Sequence, residues 1–200
     1  MDYFFYCRDK AGTAAIRKQL VETHWSFMDG YASRMSARGP TVREDGVTQT
    51  GSMHIVDLPD AEAARVFAYE EPYCKAGVFE EVMVRRWENE LGRTMWDFKG
   101  QPEQNRRFLI IAHGKPGMEA ERNQLADARR RYYVERGYQD RLIASGPLLS
   151  EDGTQWRGSA MMVELADRAA VDAMIGDDPY AKAGLYQTVE VHFWRFGGRR

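Results

Sequence analysis

Cysteine is scarce: the 200-residue chain has two, Cys7 and Cys74. Both fall in the same half, with no counterparts in the other. That excludes a duplicated disulfide framework and leaves free thiols in a reducing, cytoplasmic setting as the expectation. Long hydrophobic runs are missing as well. No apolar stretch approaches the ~18 residues of a membrane span, and Tyr3-Phe4-Phe5-Tyr6 is too short for the apolar core of a secretory signal. Charge of one sign is also missing. A net charge of -2 and a pI near 6.1 offer no basic field for nucleic acid or an anionic membrane. Of the four histidines, His54, His113 and His192 fall on strand patterns without metal-ligand spacing, so neither zinc nor iron is indicated. There is no Gly-rich phosphate loop, no Ser/His/Asp order and no Cys-x-x-Cys. What is left is a small-molecule partner and chemistry that needs no cofactor.

What the chain does contain is itself, twice. Glu71-Pro72-Tyr73-Cys74-Lys75-Ala76-Gly77-Val78-Phe79 returns as Asp178-Pro179-Tyr180-Ala181-Lys182-Ala183-Gly184-Leu185-Tyr186. With a displacement of 107, Gly39-Pro40 falls on Gly146-Pro147, Gly51-Ser52 on Gly158-Ser159 and Trp87 on Trp194, and 20 of the 51 positions from Ala37 to Trp87 are identical. Nearer the start of each half the displacement is 105, with Arg17 on Arg122 and Leu20 on Leu125, so the first half is two residues shorter between its first helix and Gly39. The boundaries implied are a first half over 1–90, a linker over 91–105, a second half over 106–197 and a tail over 198–200.

Within a half, an aromatic strand (Tyr3 to Arg8) precedes a helix capped by Thr13, with Ile16, Leu20, His24 and Phe27 on one face. Gly39-Pro40 closes that segment, and Thr41-Val42 reads as a short strand turning at Asp45-Gly46. A strand over Gly51–Leu58 follows. Asp60 caps a helix running to about Glu70, Pro72 opens a short helical turn that Gly77 closes, and Val82 to Trp87 is the last strand. The second half has a long helix from about Met118 to Ile143, interrupted near Gly137. Trp96 and Phe98 of the linker are expected to pack on a half. Strand, helix, strand, strand, helix, strand is the βαββαβ order of a ferredoxin-like unit, an α+β class. Each such unit leaves one sheet face open. Two in one chain can bury those faces against each other as an internal pseudo-dimer of the dimeric α/β-barrel type, lined by Arg85, Trp87, His192 and Trp194. Whether the fused chain pairs again as a homodimer the sequence leaves open.

A histidine on the first helix, Gly-Pro, a Gly-Ser strand, and a second helix ending in Asp-Pro-Tyr before Ala-Gly-Leu-Tyr resemble the YciI-like (YCII) family, as a tandem duplication. The resemblance spans both halves. It implies a fold similar to muconolactone isomerase and the dimeric α/β barrels and a site built on a histidine/aspartate pair. One branch of that family is associated with dehydrochlorination of hydroxyquinones. This chain departs from the pattern twice: the first half has His24 but Glu71 for the aspartate, and the second has Asp178 but Arg129 for the histidine.

A histidine beside a carboxylate is a natural general base, which makes His24, Glu71 and Asp178 the candidate catalytic residues. Asp178 before Pro179 equally fits a helix N-cap, for which Glu71 is the poorer residue. Arg129 cannot act as a base, because a guanidinium does not deprotonate. It either pairs with Asp178 in a half retired from catalysis or anchors a substrate anion. Tyr73 and Tyr180 are candidates for lining a pocket mouth. The favoured expectation is an enzyme moving a proton in an isomerisation or elimination on a small cyclic or aromatic molecule. The alternatives are a non-catalytic binding or scaffold protein and a cofactor-free oxygenase.

Overall fold

The computed structural model describes residues 1–198; Arg199 and Arg200, the end of the expected tail, lie outside the described residues. The chain divides into two compact units, one of residues 1–88 with the segment from Trp194 onward, the other of 89–193. The first carries β1 (Asp2–Asp9), α1 (Ala14–Asp29), β2 (Met35–Val42), β3 (Gln49–Asp57), α2 (Ala61–Glu70), α3 (Pro72–Lys75) and β4 (Phe79–Trp87). The second carries β5 (Arg106–Gly114), α4 (Glu119–Glu135), β6 (Leu142–Leu149), β7 (Trp156–Leu165), α5 (Arg168–Asp177), α6 (Pro179–Lys182) and β8 (Tyr186–Trp194). In each, the first strand pairs antiparallel with the third and the fourth, and the second pairs with the third, giving the orders β2-β3-β1-β4 and β6-β7-β5-β8. Both units are therefore ferredoxin-like and the chain is α+β, as the repeat implies.

Each sheet is covered by its helices over an apolar core. In the first unit Tyr3, Phe5, Val56 and Leu58 of the strands meet Met28 of α1 and Phe67 of α2; in the second, Phe108, Ile110 and Val163 meet Tyr133 of α4 and Met174 of α5. Each such fully buried side chain contributes on the order of 1.5–3 kcal/mol. Asp60 and Asp167 cap α2 and α5 at 2.8 and 2.9 Å. Thr13 does not cap α1 by its side chain: its hydroxyl donates to the Lys10 carbonyl. No helix among the described residues is long and apolar enough to cross a membrane.

Three further expectations need correction. The helix begun near Met118 ends at Glu135, because Gly137 takes a left-handed φ of 71° and Leu142-Ile143 already belong to β6. β2 runs for 8 residues instead of two, since Gly39 and Pro40 stay in register with Met53 and Ser52 of β3. Trp96 is half-exposed, and the buried anchor of its segment is Met95. That segment is also tied to the second unit, with Arg93 donating to the carbonyls of Gln139 and Leu142 and the Gln101 N–H to Glu164. The chain end is anchored before it leaves the described residues: Arg195 N–H donates to the Pro40 carbonyl at 3.2 Å and Gly197 N–H to that of Arg38 at 3.1 Å. Gly39 is required for this contact, because a Cβ there would lie 1.9 Å from the Arg195 oxygen. The repeat reproduces the bond, with Glu90 N–H donating to Ser145 at 3.0 Å.

Candidate active site

α1 carries Arg17, His24 and Met28 on the face turned to the sheet, while β2 and β3 contribute Arg38 and His54, a cross-strand pair. With Tyr73, Gly197 and Gly198 these residues border an open cavity. A small apolar recess lies beside it, bordered by Phe5, Cys7, Phe67 and Glu71 and sharing Met28 and His54 with the first.

The structure brings His24 and Glu71 together: Nδ1 lies 2.5 Å from Oε1. The other carboxylate oxygen accepts the Cys74 N–H at 2.9 Å, so Glu71 caps α3 despite its length and is fixed at both oxygens. An ionised carboxylate can only accept, so in the neutral ring Nδ1 carries the hydrogen and Nε2 has the lone pair. Tyr73 stacks on the imidazole, ring centroids 4.3 Å apart at 16°, and donates its hydroxyl to the Arg17 carbonyl. Tyr73 is thus a buried wall of that cavity. Arg17 is buried but neutralised, its guanidinium held by both oxygens of Asp9 at 2.6 Å and by Ser52 and Gln49.

His54 faces the same cavity. Burial first, then the neighbouring His24, Arg38 and Arg17, holds it well below its ordinary value of 6.5, so the imidazole is neutral. Burial also pushes the Cys7 thiol well above its usual range, as does Glu71, and no thiolate nucleophile is on offer.

The sign of the His54 shift fixes a pH dependence. Below about pH 6.5 the unfolded chain takes up a proton that the folded chain refuses, so the unfolded state binds more protons and stability falls as pH falls through that window. Urea midpoints should therefore decline from pH 7.5 to pH 5, and His54→Met should flatten the decline. An unchanged slope in the variant would show that His54 is not the group responsible.

The second unit places the remaining candidates elsewhere. Arg129 Nε lies 2.9 Å from Asp178, the Tyr133 hydroxyl donates to the same oxygen at 2.7 Å, and the other oxygen accepts the Tyr180 N–H at 2.8 Å. Burial keeps the Tyr133 phenol well above its ordinary value and so a donor. Tyr180 is buried, with Arg129 lying 4.5 Å over its ring. By the repeat, Arg129, Tyr133 and Met161 stand where the first unit has His24, Met28 and His54. Arg129 and Tyr133 both reach the Met161 sulfur, at 3.1 and 3.2 Å. Glu90, at the place of Gly197, accepts from Arg122, the counterpart of Arg17, at 3.2 Å. The ground that borders the cavity in the first unit thus carries a set of internal contacts in the second.

Sequence reasoning missed His54, Arg38 and the Gly197-Gly198 edge. Two of these carried a signal in the repeat itself, since His54 aligns with Met161 and Arg38 with Ser145.

Comparison with known proteins agrees with this architecture. The YCII-related domain matches residues 1–88 and again 106–195. No curated protein matches the chain. Among solved structures, an anthrone oxidase-like protein is 10% identical over 100% of this chain and 92% of its own, with a TM-score of 0.58. Chlorite dismutase from Candidatus Nitrospira defluvii, complexed with imidazole, is 7% identical over 97% and 91%, TM-score 0.61. A 5-chloro-2-hydroxyhydroquinone dehydrochlorinase from Burkholderia phenoliruptrix AC1100, complexed with 2,5-dihydroxybenzoquinone, is 23% identical, with 46% of this chain and 99% of that one covered and a TM-score of 0.43.

Proposed function

The chain belongs to the YCII-related domain family, and we propose that its first half is a small-molecule enzyme that moves a proton without a cofactor, in an isomerisation or elimination on a cyclic or aromatic compound. The observation that carries this reading is the His24–Glu71 pair at the edge of an open cavity, beside a second half in which the matching positions form a closed Arg129–Asp178 pair. His24 Nε2 takes the proton. Glu71 fixes the tautomer and balances the imidazolium that forms. Tyr73 holds the ring plane. Arg38 on the cavity border supplies positive charge for an anion developing on the substrate. Asp178, Arg129 and Tyr180 serve the second unit's packing.

The test is a panel of phenols, cyclic enols and their halogenated forms, followed by NMR for exchange of ring hydrogens with solvent deuterium and by halide release. Turnover of at least one compound is expected, with Glu71→Gln slowing it on the order of 10²-fold. A panel without exchange or release above the protein-free rate would leave binding without catalysis as the better reading. Turnover that consumes dioxygen would move the assignment to a cofactor-free oxygenase.

A further inference from the structure

We propose that His54 is a second working imidazole of this site, donating a hydrogen bond to the same substrate oxygen from which His24 removes a proton; the inference rests on the acid–base reading of His24. Three observations converge on it. First, His54 is only 6% exposed, yet it borders both the open cavity and the apolar recess. Its contacts are to rings, His24 at 6.1 Å and the edge of Phe67 at 5.8 Å, and neither of its nitrogens has a hydrogen-bond partner among the described residues. Those nitrogens are not among the fully buried orphaned atoms of the described residues, so they reach the open cavity, where a ligand can bond them.

Second, the molecule contains its own control. At the same register of the second unit stands Met161, and it stands with Arg129 in place of His24. Met161 is fully buried there between Arg129 and Tyr133. The fold therefore accepts an apolar thioether at this strand position, and the two imidazoles occur together in the half with the open cavity.

Third, the geometry suits one shared atom. Hydrogen bonds of about 2.8 Å from a nitrogen of each ring allow a single oxygen to bridge two imidazoles whose centroids are 6.1 Å apart and tilted by 59°. His24 Nδ1 is committed to Glu71, so Nε2 is the nitrogen that faces this oxygen. In the step proposed, the O–H bond breaks and an Nε2–H bond forms, the electron pair staying on oxygen. His54, neutral and hence both a donor and an acceptor, gives its N–H to the oxyanion. The imidazolium is balanced by Glu71, and no electrons leave the substrate. The ligand class that suits this arrangement is a planar ring bearing a hydroxyl on an sp² carbon, a phenol or an enol, held in the open cavity that both imidazoles border.

The test uses the full chain with ¹⁵N-labelled histidine, titrated with 4-nitrocatechol, whose visible absorbance reports its ionisation. Ring nitrogens of both His24 and His54 should shift at saturation, and the bound probe should be ionised at a pH where the free probe is not. His54→Met, which installs the second unit's own residue, should weaken that ionised complex at least tenfold, and His54→Gln, which keeps an N–H, should restore part of it. A shift at His24 with His54 unmoved overturns the proposal and leaves the acid–base reading standing. A probe that moves neither ring overturns both, and one that moves His54 alone overturns the shared-oxygen arrangement.

Discussion

Replacing His24 with glutamine is expected to lower kcat/KM by roughly 10²–10⁴ for any compound the protein turns over, with most of the loss in kcat. Glutamine keeps a polar side chain on α1 and can still donate to Glu71, so the local hydrogen bond survives while the group that accepts the proton is gone. The alternative is that His24 is a packed core histidine, stacked on Tyr73 for stability alone. That alternative predicts the opposite pattern, a lower Tm with turnover unchanged. The second unit already argues against a strict structural need for imidazole, because the same helical position there carries Arg129 and α4 is intact around it. Measuring Tm and solvent-deuterium exchange on the same preparation separates the two. Exchange in His24→Gln at the wild-type rate would remove the catalytic assignment.

Much of this was legible in the residues, and for identifiable reasons. The Asp60 cap and the Pro72 and Pro179 turns are local rules, so that cap and the two short helices fall where the chain puts them, whereas the Thr13 cap does not form. The repeat supplied the topology, because a half that has to fold twice constrains its own element order. The reach of Glu71 to His24 could not be read, since it depends on how the two-residue shortening before Gly39 is absorbed. The extent of β2 escaped for a related reason: Gly39 and Pro40 look like breakers until β3 lies beside them and the chain end packs on Gly39. That contact joins residues at opposite ends of the sequence, and no periodicity reports it. His54 escaped because its strand is buried on both faces, so alternation does not single it out. Only its mismatch with Met161 marks it.

Asp178→Ala should be the most destabilising single change in the second unit, at about 3–5 kcal/mol, because it strands a buried guanidinium. Arg129 is 5% exposed and its Nε bond to Asp178 is the ionic partner the structure gives it, so removal leaves a positive charge in an apolar setting of Tyr133, Tyr180 and Met161. The same substitution orphans the Tyr133 hydroxyl and the Tyr180 N–H. The matching change in the first unit, Glu71→Ala, should cost far less, nearer the ~1 kcal/mol of a lost cap. An imidazole can be neutral beside a lost carboxylate, which a guanidinium cannot be. Urea denaturation of the two variants measures the difference directly, and the double variant Arg129→Met, Asp178→Asn should recover most of the Asp178→Ala loss. Equal losses from Asp178→Ala and Glu71→Ala would mean that Arg129 is stabilised by something other than Asp178. The role of Arg129 as an anchor for a substrate anion would then regain its place, with added phosphate or benzoate expected to raise the Tm of Asp178→Ala above that of the wild type's own response. A large, anion-insensitive loss would instead assign the Arg129–Asp178 pair to the packing of the second half.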